Sequence, residues 1–71
     1  MMAGKTYWIE NGTEQIFGAF DLTQAKRKVR TIMRKRQVAG ELAPFVQALA
    51  NDGSESWHFC TFAQSWHCDT F

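Results

Sequence analysis

The segments SWHFC (56–60) and SWHC (65–68) each set a tryptophan and a histidine ahead of a cysteine, twice within a short stretch near the end of a 71-residue chain. Imidazole nitrogen and thiolate sulfur are ligands of structural zinc, so His58, Cys60, His67 and Cys68 supply a Cys2His2 donor set by type. The same groups suggest two other chemistries, a cysteine nucleophile paired with a histidine base and a Cys60–Cys68 disulfide. All three need the side chains to converge. The spacing lacks the usual C-x2-4-C and H-x3-5-H pattern, and the intervening TFAQ (61–64) carries no Gly, Pro, Asn or Asp to turn a strand. Adjacent strand residues also point to opposite faces, which separates His67 from Cys68. The pattern therefore reads as a strand followed by an aromatic tail, with no metal and no cofactor; ligation by His58, Cys60, His67 and Cys68 is the lesser alternative. The sequence contains no phosphate loop, nucleophile elbow or paired-carboxylate motif. The expectation is a protein that is not an enzyme.

Charge is the second source of chemistry. The net charge is only +1, yet seven of the eight Lys and Arg residues fall in AKRKVRTIMRKR (25–36), and all seven acids lie outside it. At about 100° per residue this segment forms an amphipathic helix. Leu22, Ala25, Val29, Ile32 and Met33 share one arc, with the Arg36 stem at its border. Arg27, Arg30 and Arg34 gather on one outer flank, Lys28 and Lys35 take the other, and Lys26 lies near the apolar boundary. Lys26 with Arg30, and Arg30 with Arg34, are like charges at i,i+4, each costing a few tenths of a kcal/mol. Stability alone does not select such a face, whereas a polyanionic partner does, because arginine's fork suits phosphate and carboxylate. The candidate partner-binding residues are Arg27, Lys28, Arg30, Arg34 and Lys35, with Trp8 and Trp57 as exposed aromatics. Gln24, Thr31 and Gln37 are candidates for polar contacts to nucleic acid. No helix-turn-helix pair, zinc-finger spacing or RNP strand motif supports readout of sequence.

The elements that position these residues follow from turn and cap signals. KTYWIE and TEQIFGAF, joined by Asn11-Gly12, predict a β-hairpin. Asp21 with Gln24 three residues on predicts a capped helix from Leu22 to Gln37 or Val38, ended by Gly40. Residues 42–50 fit two patterns: a short helix opened by Pro44, using Phe45, Val46 and Leu49, or a strand alternating Phe45, Gln47 and Leu49. The turn signal Asn51-Asp52-Gly53-Ser54 and the strand-like ESWHFCTF favour a second hairpin. The fold expected is α+β, a ββαββ two-layer sandwich in which a small antiparallel sheet carries one basic helix on one face. It forms a single domain, with 1–4 and about 64–71 as flexible or peripheral tails.

A chain of this size buries only about 60% of its unfolded surface, so its core is thin. No apolar run reaches membrane-span length, and MMAGKTYW lacks the apolar region of a signal peptide. The expected location is the cytoplasm, with both cysteines as thiols. An unprotected edge strand in so small a sheet makes a homodimer an open expectation.

The hairpin ending FGAFDLTQAK, the basic helix and the hairpin around NDGSESWHF together resemble, over residues 5–62, small accessory proteins of phages and mobile elements, such as anti-CRISPR proteins and inhibitors of host RNA polymerase. That resemblance implies a non-enzymatic inhibitor or modulator, in the host cytoplasm, docking through its basic helix on an acidic surface of a nucleic-acid-handling machine. The alternative is a domain that binds nucleic acid directly, without sequence preference, through the same helix.

Overall fold

In a computed structural model, residues 4–71 are described; of the expected N-terminal tail, 1–3 lie outside the described residues and Gly4 is exposed. The elements are β1 (Tyr7–Asn11), β2 (Glu14–Phe20), α1 (Leu22–Val38), β3 (Val46–Ala50), β4 (Glu55–Cys60) and β5 (Ser65–Thr70). All neighbouring strands are antiparallel, in the order β2-β1-β3-β4-β5. The α+β architecture is thus as expected, with one helix on one face of the sheet and a fifth strand added at its edge. Among the described residues no helix is long and apolar enough to cross a membrane.

Local signals account for most boundaries. Asp21 Oδ1 accepts from Gln24 N (2.8 Å) and Gln24 Oε1 accepts from Asp21 N (3.1 Å), a complete capping box. Such a cap contributes about 1 kcal/mol. At the other end Glu41 N donates to Arg36 O and Gly40 N to Gln37 O, both at 3.0 Å, with Gly40 at φ +106°. This is a Schellman closure, and its left-handed residue is the one glycine tolerates best. The first turn differs by one residue from expectation. Asn11 pairs with Glu14, so the two-residue loop is Gly12-Thr13 rather than Asn11-Gly12. Gly12 at φ +63° occupies the first loop position, as in a II′ turn. Asn11 stays in the strand, where its Oδ1 accepts from Arg36 Nη1 at 2.8 Å. The same guanidinium pairs with Glu41 and reaches Phe45 O (3.2 Å), tying the end of α1 to β1 and to the start of β3.

Residues 46–50 resolve as strand, with Val46, Ala48 and Ala50 buried under the helix, while Phe45, Gln47 and Leu49 take the other face. Leu42 is exposed. Ile9, Val29, Met33 and Val46 are the largest fully buried side chains, joined by Tyr7 and Ala25. Burying each large aliphatic or methionine side chain stabilises the fold by about 1.5–3 kcal/mol. The stripe of α1 that meets the sheet is therefore Ala25, Val29 and Met33, with Leu22 and Ile32 half-buried beside it.

The segment expected as a flexible or peripheral tail forms β5, in register with β4 from Glu55↔Thr70 to Cys60↔Ser65. The fold-back through TFAQ, judged unfavourable for want of a turn former, is made by Gln64 at φ +53°. A non-glycine residue there costs on the order of 1–2 kcal/mol. Gln64 Nε2 donates to Thr61 O (2.5 Å), and Ala63 N donates to Cys60 Sγ (3.4 Å), both closing the loop.

At one end of the sheet Glu55 gathers three donors: Lys5 Nζ (2.7 Å), Tyr7 OH (2.7 Å) and Trp57 Nε1 (2.8 Å). The Lys5 hydrogen bond, followed by those from Trp57 and Tyr7, holds the Glu55 carboxyl down at about 2. Burial first, then the Glu55 hydrogen bond, pushes the Tyr7 phenol up to about 12. A carboxyl depressed on folding contributes stability that is fully present above its unfolded pKa, near 4.5, and is lost as pH falls toward about 2. Glu55→Gln should therefore be less stable than the native chain at neutral pH and converge with it below pH 4.5. Urea denaturation across that range checks this; a constant difference down to about pH 2 would contradict it.

Candidate functional site

The basic residues of α1 divide into three groups, one of them Arg36 alone, held by Glu41 at the helix end. Arg27, Lys28, Arg34 and Lys35 are exposed on the outer side of the helix. None is in an ion pair; among the described residues the ion pairs are Lys5–Glu55 and Arg36–Glu41. α1 itself contains no acid. Lys28 Nζ lies 5.2 Å from the Phe20 ring centroid, a contact that leaves its charge at the surface.

Lys26 and Arg30 are half-buried on the side of α1 that overhangs β4. The Arg30 guanidinium carbon sits 4.0 Å from the Phe59 centroid, and Lys26 Nζ lies 4.4 Å from Trp57 and 5.3 Å from Trp66. Cation–π contacts of this kind are worth about 0.5–1 kcal/mol or more when desolvated. Arg30 and Trp57, expected as partner-binding residues, are therefore also engaged in holding the helix to the sheet. The physical reason is register. Trp57 pairs with Ala48 and Cys68, and Phe59 with Trp66, so these side chains share the helix face.

Trp8 lies on the other face of the sheet, 5.3 Å from Phe17 ring to ring. The expected set of basic and aromatic residues is thus split between opposite sides of the molecule. The bare face also carries Phe45, 56% exposed, and Phe17, 69% exposed. Phe45 lies 5.4 Å from His58, which stacks on His67 at 5.4 Å and 14°. No Lys or Arg belongs to β1, β2, β3, β4 or β5.

The Cys2His2 alternative does not assemble. His58, Cys60 and His67 occupy the bare face, whereas Cys68 alternates onto the helix face opposite Trp57. Among the described residues no group of three or more His, Cys, Asp or Glu comes together with metal-binding geometry. Cys60 and Cys68 are free thiols on opposite faces, so they are not joined by the disulfide that their sequence proximity allowed.

One feature of the basic side was not anticipated. A groove of about 480 Å³ runs between α1 and β2, lined by Ile16, Phe20, Ile32, Arg27, Lys28 and Lys35 together with Gln24 and Thr31. It has an apolar floor and a cationic rim. The sequence contained its signal in Ile32, at the edge of the apolar arc, and in the unpaired Lys28 and Lys35. The polar residues expected to contact nucleic acid are partly committed: Gln24 Oε1 closes the capping box and the Thr31 hydroxyl donates to Arg27 O at 2.9 Å.

These placements separate structural from free cations. Arg30→Glu should lose about 1 kcal/mol or more of stability, since it removes a cation–π contact and sets an anion against the Phe59 ring. Arg34→Glu should stay within about 0.5 kcal/mol of the native value. Chemical denaturation of the two variants compares them directly; equal losses would place Arg30 among the free cations. In comparisons with protein-family models, curated proteins and solved structures, nothing matches this chain.

Proposed function

We propose that this chain is a non-enzymatic binding protein that docks through the outer side of α1 on an acidic protein surface, in the manner of the small phage-type inhibitors it resembles. The natural target class is a host complex that handles nucleic acid, in the cytoplasm. The observation that carries the reading is the charge of Arg27, Lys28, Arg34 and Lys35, exposed on one helix with no ion-pair partner among the described residues. Clustering four cations on one side raises self-repulsion, which an anionic partner relieves. Mechanism follows from occupation: a helix held by its caps and core presents the four cations on a rigid backbone, while their free side chains are ordered on docking at a cost of about 0.5–1.5 kcal/mol each.

Direct binding of nucleic acid is the second reading, favoured by the length of the exposed basic row. Two features support protein over single strands. Platforms for single strands place aromatic rings beside their cations, so that bases stack while phosphates are neutralised. Here Trp57, Phe59 and Trp66 are covered by Lys26 and Arg30, the Phe20 ring beside Lys28 is half-buried in the groove, and Trp8, Phe17 and Phe45 lie on a face without Lys or Arg in its strands. The hydrogen bonds of Gln24 and Thr31 within the helix also partly engage two of the three polar residues expected to contact nucleic acid.

The test uses the four free cations together, changed to Gln, with Arg30 left in place. Polyglutamate and short duplex DNA serve as probes over a range of salt. The proposal expects binding of polyglutamate that the fourfold variant loses while keeping its native stability. For the duplex it expects weaker binding at matched salt. Duplex binding that exceeds polyglutamate binding, with affinity falling by about 0.9 log unit per log unit of salt for each phosphate neutralised, would favour the second reading. No binding of either probe at low salt would contradict both.

A further inference from the structure

Among the described residues the sheet ends on two unpaired edges, β2 and β5. They differ in how open they are to another strand. β2 is irregular where its pairing with β1 shifts between Tyr7 and Ile9, and bulges of this kind blunt an edge. It is also overhung by the flank of α1 that carries Arg27, Lys28 and Lys35 along the groove. Two copies joined through β2 would bring these cations of one against those of the other.

β5 has neither protection. It pairs with β4 without a shift over all six residues, Ser65–Thr70, and contains no Pro, Lys or Arg. The helix packs over β1, β2, β3 and β4, its Lys26 side chain reaches Trp66 on the helix face of β5, and among the described residues no element lies beside the outer edge of that strand. Exposed edges of this type are the ones natural sheets usually protect.

We propose that β5 pairs antiparallel with β5 of a second copy, about a twofold axis perpendicular to the sheet. Side chains directly opposite in an antiparallel pair share a face, and the twofold preserves faces, so the axis must pass through a residue position. Placing it at Cys68 brings His67 of each copy opposite Asp69 of the other, and Trp66 opposite Thr70. An imidazole N–H then donates to a carboxylate twice, on the face where His67 already stacks on His58. An axis at His67 would instead oppose the two imidazoles and leave Asp69 facing Ser65. Chemical complementarity selects the Cys68 register.

The product is one continuous sheet of ten strands, five from each copy. Both α1 helices lie on the same side of it, so two sets of Arg27, Lys28, Arg34 and Lys35 address one partner surface. The dimer stands on the geometry of β5 and is independent of what those cations bind.

Sedimentation of the native chain against concentration should show a reversible dimer. Asp69→Lys, an exposed change on the edge, should make the chain monomeric with an unchanged circular dichroism spectrum. The double exchange His67→Asp with Asp69→His keeps the two opposed pairs and should restore the dimer. As a register test, Cys60→Ser treated with diamide, which takes up the two electrons and two protons released by a pair of thiols, should give a Cys68–Cys68 linked dimer. Cys68→Ser should not be linked. A native chain that is monomeric at every concentration, a dimer indifferent to Asp69→Lys, or a double exchange that stays monomeric would each overturn the proposal. Should Asp69→Lys unfold, the double exchange and the Cys68 linkage decide it alone.

Discussion

The width of a single helix against the width of its sheet governs this molecule. Five strands at about 4.8 Å spacing span roughly 19 Å, while a helix with its side chains is about 10–12 Å across. One helix therefore covers the centre and leaves both margins. Here the centre is β1 and β3, where Ala25, Val29 and Met33 meet Ile9, Val46 and Ala48. The alanines on both sides of this contact are well suited to a thin core, because they let backbone approach backbone with little volume to fill. Substituting larger groups there would lift the helix and disturb both margins together.

The two margins are treated differently. Over β4 and β5 the gap is closed by long cationic side chains lying on Trp57, Phe59 and Trp66, so Lys26 and Arg30 act partly as apolar covering and partly as ring-bound charge. Over β2 the gap stays open as a groove with a cationic rim. Among the described residues no element covers the sheet's other face, and its ring pair Trp8 and Phe17 sits apart from Arg27, Lys28, Arg34 and Lys35. The exposed cationic surface of α1 and the surface rich in exposed rings are thus separate regions, and each has to be explained by its own chemistry. That separation weighs against a single interface combining the arginines with Trp8.

Much of the fold was legible because its signals are local. Asp21 and Gln24 fix the start of α1, Gly40 its end, and Asn51 to Ser54 the second hairpin, each through hydrogen bonds among near neighbours. Residues 42–50 were ambiguous since Phe45, Val46 and Leu49 satisfy a helical period as well as Phe45, Gln47 and Leu49 satisfy a strand; burial of the other alternation, Val46, Ala48 and Ala50, under the helix decides, and burial is a tertiary property. β5 was obscured by its loop. Four residues without a customary turn former make a hairpin only because Gln64 accepts a left-handed backbone, and the gain comes from pairing along β4. The alternation of Trp66, Cys68 and Thr70 against Ser65, His67 and Asp69 was the available sign. For the candidate surface, the helical wheel sorted apolar from basic positions correctly, but a wheel contains no sheet. It could not show that Arg30 would meet Phe59 whereas Arg34 would meet solvent.

The outer side of α1 is the surface we propose to recognise anionic partners. Amide and side-chain chemical shifts of the labelled protein, followed during titration with polyglutamate at low salt, test this most directly. Shifts should centre on Arg27, Lys28, Arg34 and Lys35 and extend into the groove at Ile16 and Phe20, with Trp8, Phe17 and Phe45 unmoved. Shifts centred instead on those three aromatic residues, or no shifts in α1 at all, would contradict it.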